Sequence, residues 1–178
     1  MKITTLFKVL LICFLLFHFN HVGAQSICVD SILINGSITK YMKYSDFLKT
    51  DTKIDSITTA HPRDIFDPDS MIYIGSSVFW YNSKDGRCDA RSIWFDKITN
   101  VKLGKYLLNS STSFNDLKIM FPTNCSSTKP LNLYRFKGTI LETCSLNVKD
   151  SKGQMWDMRI LFFLKDNRLI GLDFWEPM

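Results

Sequence analysis

The sequence predicts an α+β fold of two tandem units, residues 25–108 and 109–178, each a helix and loop followed by an antiparallel meander with the helices on one face. Three observations carry this expectation. Two polar turns ending in glycine, Asn82-Ser83-Lys84-Asp85-Gly86 and Lys149-Asp150-Ser151-Lys152-Gly153, each open a long amphipathic run. The runs align: Asp89-Ala90-Arg91 with Asp157-Met158-Arg159, Ile93-Trp94-Phe95 with Leu161-Phe162-Phe163, and Lys97 with Lys165. Upstream, Tyr44-Ser45-Asp46-Phe47 matches Phe114-Asn115-Asp116-Leu117 at nearly the same offset. Self-similarity that keeps its order along the chain marks a duplicated unit.

Each unit should open with a capped helix. The first covers Tyr44 to Lys49, with Ser45 or Asp46 near its start; the second covers Phe114 to Phe121, capped by Ser113 or Asn115 and ended by Pro122. Irregular loops follow, holding His61-Pro62 and Asp67-Pro68 in unit one, and Cys125 and Pro130 in unit two. Three strands rich in β-branched and aromatic residues come next, at 72–82, 87–96 and 101–108, then at 140–148, 154–164 and 168–175. Short turns between them force antiparallel neighbours. A further short strand at Ser31 to Ile34 would join the first sheet.

Residues 1–24 read as a cleaved secretory signal. Lys2 and Lys8 precede an apolar run from Val9 to Phe19, and Val22-Gly23-Ala24 supplies small residues for cleavage after Ala24. The run is shorter than the roughly 20 apolar residues a membrane span needs, so no membrane insertion is expected after cleavage. The expected location is therefore secreted or periplasmic. Cleavage leaves Cys28, Cys88, Cys125 and Cys144. Four cysteines in an exported chain suggest two disulfides in one of three connectivities; the economical pairing is Cys28 with Cys88 and Cys125 with Cys144. The formal charge of +5 drops to +3 without the leader's lysines, and the charges are interspersed. No basic stripe points to nucleic acid.

Strand alternation separates a covered sheet face from an open one. In 154–164 the covered side is Trp156, Met158, Ile160, Phe162 and Leu164; in unit one it holds Cys88, Ala90, Ser92 and Trp94, with Ile72, Ile74, Val78 and Trp80. The open side then carries Tyr73, Phe79, Tyr81, Arg91, Phe95, Arg159, Phe163 and Trp175. Aromatic rings and arginines are what binding hot spots use, so these eight residues are the candidate binding surface for another protein.

Tandem helix, loop and meander, with the paired segments at Tyr44-Ser45-Asp46 and Phe114-Asn115-Asp116, the two glycine turns and the aromatic strands, resembles the secreted β-lactamase inhibitor protein family. The resemblance is architectural and covers nearly the whole mature chain. It implies two repeats whose sheets join into one concave gripping surface, and it carries no gripping residue over individually.

Enzyme signatures are absent from the sequence. His61 is the single histidine after the leader, no GxSxG elbow occurs, and no CxxC or phosphate loop is present. Asp157 and Asp173, read as adjacent on neighbouring strands, are the one carboxylate pair to consider for glycoside chemistry. The expectation is a non-catalytic, exported binding module with no cofactor and no metal. A cell-envelope structural or assembly factor is the alternative, and a secreted hydrolase ranks below both.

Overall fold

The computed structural model describes residues 25–60, 68–133 and 139–176. Residues 1–24, expected to be a secretory signal, and His61 lie outside these residues. In chain order the elements are β1 (Ser26–Cys28), a 3-10 turn (Val29–Ser31), β2 (Ile32–Ile34), β3 (Ile38–Thr39), β4 (Tyr41–Lys43), α1 (Tyr44–Phe47), β5 (Ser56–Thr59), β6 (Ser70–Ile74) and β7 (Ser77–Asn82). Then follow β8 (Arg87–Trp94), β9 (Val101–Leu103), β10 (Tyr106–Leu108), α2 (Phe114–Met120), β11 (Lys129–Leu133), β12 (Thr139–Lys149), β13 (Met155–Lys165) and β14 (Arg168–Trp175).

The α+β expectation is overturned. Strands take 54% of the described residues and helices 10%. A ten-stranded mixed sheet runs β1-β12-β13-β14-β8-β7-β6-β5, with β11 also on β12 and β4 also on β8. A four-stranded sheet, β10-β9-β2-β3, packs on one of its faces. The reason is local. Stretches not expected to be strand form β3 (Ile38–Thr39), β4, β5 and β11, with Ile38 buried and Ile57, Thr58 and Thr59 in β5, and β-branched residues favour strands. Helix α1 is a single turn without a side-chain cap. Helix α2 has the expected start: Ser113 accepts from the Asp116 N–H, and the Asp116 carboxylate accepts from the Ser113 N–H, a capping box.

Rings from both layers meet in the core. Phe121, at the end of α2, stacks on Phe162 of β13 (5.7 Å) and meets Tyr106 of β10 edge-on (5.1 Å). Phe47 of α1 packs against Phe79 of β7 (5.2 Å). The Cys125–Cys144 disulfide, with Cα atoms 5.2 Å apart, ties the chain after α2 to β12.

The two meanders belong to one sheet because β14, the last strand, pairs with β8 at Gly171↔Trp94, Leu172↔Ile93 and Asp173↔Ser92. A strict repeat would put β9 on that edge of β8. Instead β9 and β10 leave for the small sheet, and β4 fills the other half of the edge at Tyr41↔Asp89, Met42↔Cys88 and Lys43↔Arg87. The seam depends on Gly171. A Cβ there would lie 2.6 Å from the Ile93 carbonyl oxygen and 3.1 Å from the Trp94 ring. The bare glycine lets Trp94 and Phe163 stack across it at 5.4 Å.

The Cys28–Cys88 pairing is also corrected: both are free thiols. Strands β1 and β8 are separated by β12, β13 and β14. Four spacings of about 4.8 Å put the cysteines roughly 19 Å apart, against a Cα limit near 7 Å for a disulfide. Burial pushes the Cys88 thiol up to about 11 from 9.0. The folded state therefore holds this proton more tightly than the unfolded one. The associated stability is complete below pH 9 and is lost as pH rises through 11. Two pKa units correspond to roughly 2–3 kcal/mol. Urea unfolding between pH 8 and pH 11 should show this loss in the wild type and a smaller one in Cys88→Ala.

Candidate functional site

The face of the large sheet opposite the small sheet is built from three cross-strand rows. One holds Thr143, Phe163, Gly171 and Trp94. The next holds Ser145, Leu161, Asp173, Ser92, Val78 and Tyr73. The third holds Asn147, Arg159 and Trp175. Residues directly opposite across antiparallel strands share a face, so the rows define one surface.

Of the eight residues expected there, the structure places Tyr73, Arg159, Phe163 and Trp175 on these rows. Trp175 is 43% exposed and Arg159 is exposed, whereas Phe163 is buried beneath Trp94. Arg91 sits at a bulge beside them. Phe79 does not belong to the face: it is 1% exposed, in the core against Phe47. Tyr81 packs on Tyr44 of α1 at 4.7 Å, and Phe95 packs against the core.

Two backbone events cause these inversions. The run 72–82 is a hairpin rather than one strand. Gly75, at φ 59°, turns between β6 and β7, and the Gly75 and Ser76 N–H groups donate to Asp55 and Asp96. In β8, Ala90 opposes Phe79 and Ser92 opposes Val78, leaving Arg91 as an extra residue. Each event shifts the alternation by one and exchanges the faces. Hence Ile93 enters the core, while Ser92 and Trp94 move to the opposite side.

The bulge lies where β4 and β14 converge on β8, and there the sequence reading missed a group. Lys40 is 1% exposed. Its carbonyl accepts from the Ala90 N–H at 2.9 Å, closing the gap between the two strands on that edge. Its ammonium donates to the Asp89 carboxylate and lies 4.2 Å from the Tyr41 ring centre and 5.0 Å from that of Phe174. Asp89 also pairs with Arg91 (3.5 Å), and Arg91 with Glu176 (3.0 Å). The Arg91 guanidinium lies 4.2 Å over Trp80. Tyr41 donates to Glu176 at 3.4 Å.

Burial lowers the Lys40 pKa well below the ordinary lysine value, and Arg91 and Arg87 add to that, while Glu176 and Asp173 oppose it. Burial and Glu176 raise the Tyr41 phenol to about 12. The Asp89 carboxylate in contact with Nζ acts against that burial, since a neighbouring opposite charge favours the charged amine. With Nζ engaged and the side chain closed to solvent, this cluster locks three strands and holds the half-buried Arg91 over Trp80. No signal for Lys40 exists in the run Ile38-Thr39-Lys40-Tyr41-Met42, where a lysine reads as an ordinary solvent-facing strand residue.

The candidate carboxylate pair is not brought together. Asp173 lies opposite Leu161, four residues along β13 from Asp157. At about 3.3 Å per residue that offset is roughly 13 Å, beyond the roughly 5–9.5 Å used by glycosidase carboxylates. Among the described residues no three His, Cys, Asp or Glu side chains converge as a metal site. No helix among them is long and apolar enough to cross a membrane. The Cys125–Cys144 disulfide is compatible with an extracellular or periplasmic location. No family model, curated protein or solved structure matches the chain, so the aromatic face and its ionic seam are read from their own chemistry.

Proposed function

We propose that the protein is an exported, non-catalytic protein-binding module, cleaved after Ala24 and using the outer face of its large sheet to hold a partner protein. One observation carries this reading: Tyr73, Trp80, Trp94, Leu161 and Trp175 gather with Arg91 and Arg159 around a single sheet surface. Tryptophan, tyrosine and arginine supply most binding energy at protein interfaces, because each couples a large apolar area to a directional polar group. The ionic seam favours the same role. It fixes Arg91 in one geometry over Trp80, so little side-chain freedom remains to be lost on binding.

The test uses the mature protein to capture and identify partners from its own culture by cross-linking. Tyr73→Ala and Trp175→Ala combined should cut capture of the identified partner at least tenfold while leaving the fold intact by circular dichroism. Undiminished capture by this folded variant would sink the reading.

A further inference from the structure

We infer that a second site, a polar cleft beside the binding face, takes up the carboxylate of an acidic side chain on the partner; this rests on the protein-binding role proposed above. The cleft has a volume of about 530 Å³. It opens at a break in the sheet edge. Strand β11 leaves β12 at Thr143, and β1 takes up that edge at Asn147, so Cys144, Ser145 and Leu146, paired with β13 on their other side, have no strand partner on this edge. The chain anchored by the Cys125–Cys144 disulfide forms the opposite wall.

The lining selects for a carboxylate. Arg159 and Lys129 both border the cleft and are exposed, and among the described residues neither forms an ion pair. A guanidinium recognises a carboxylate through two parallel N–H bonds. Asn124 also borders it, and the buried Oδ1 of this side chain has no hydrogen-bond partner among the described residues. A buried polar atom left unpaired calls for an explanation. Turned over, the same amide offers N–H donors to an incoming anion. Pro130 and Leu131 on one wall and Leu161 on the floor give an apolar lining suited to the methylenes of a glutamate stem. Leu161 and Arg159 also belong to the rows of the binding face, so one partner segment can engage both.

The probe is a fluorescein-labelled hexaglutamate peptide, titrated with the mature protein by anisotropy at low salt. Saturable binding is expected, falling at least tenfold in Arg159→Ala with Lys129→Ala and partly recovering in Arg159→Lys. Hexaglutamate binding should persist in the Tyr73→Ala, Trp175→Ala variant. Loss of the face reading and loss of the cleft reading are thus seen separately. Absence of hexaglutamate binding, binding indifferent to Arg159 and Lys129, or tighter binding of a sulfated oligosaccharide of equal charge would each overturn the assignment.

Discussion

Asp89→Ala is expected to lower the free energy of unfolding by about 3–5 kcal/mol, the range for stripping one partner from a buried ion pair. The cost comes from what stays behind. Lys40 would remain 1% exposed, between the Tyr41 and Phe174 rings, without its carboxylate. It must then lose its proton or draw water into the seam. Lys40→Met should cost far less, on the order of 1 kcal/mol. It keeps most of the volume and removes the buried charge, and Asp89 retains Arg91 as partner with 20% of its side chain exposed. Urea unfolding of the wild type and the two variants ranks them. Equal losses in both would mean that the burial of Lys40 is not what makes Asp89 matter.

Replacing Cys125 and Cys144 together by alanine should remove roughly 3 kcal/mol, the chain-entropy value for a closed loop of this size. The sequence separation is 19 residues, and both sulfurs are buried between the end of α2 and β12. Opening the bridge should also free one wall of the cleft, so hexaglutamate binding should weaken along with stability. Thiol titration of the mature wild type in denaturant without reductant should find two thiols, from Cys28 and Cys88. A count of zero would restore the second bridge and contradict the strand order that separates β1 from β8.

What the sequence reveals depends on how long an alternation runs unbroken. Strand β13 spans Met155–Lys165, and its reading holds over most of its length: Met158, Ile160, Phe162 and Leu164 are buried, as expected. Trp156, expected on the covered side, is 37% exposed at the strand's end, with the Tyr41 ring 5.9 Å away. In β7 and β8 the same rule puts Phe79 and Phe95 on the wrong side. The turn at Gly75 and the extra residue Arg91 each shift the count by one, and neither has a marker that periodicity can detect.

The small sheet escaped notice for a different reason. Strands at 32–34 and 101–108 are expected, but within the first sheet; Ile38–Thr39 is too short to show a period, and β2 pairs with β9, far along the chain. One cue was present: Asn35-Gly36, both at positive φ, forms the β2–β3 turn, and Asn-Gly is a hairpin signal. Lys40 and Asp89 are far apart in sequence and meet only because β4 and β14 share one edge of β8. Their pairing follows from topology, and no local pattern announces it.

The central claim is that the outer sheet face, and not the layer carrying the small sheet and α2, is the partner surface. Backbone hydrogen exchange of the mature protein, free and bound to its captured partner, tests this most directly. The expected result is slowed exchange in β7, β8, β13 and β14, including the segments around Trp80, Arg91, Leu161 and Trp175. Slowing confined to α2, β9 and β10, with those four strands unchanged, would contradict it.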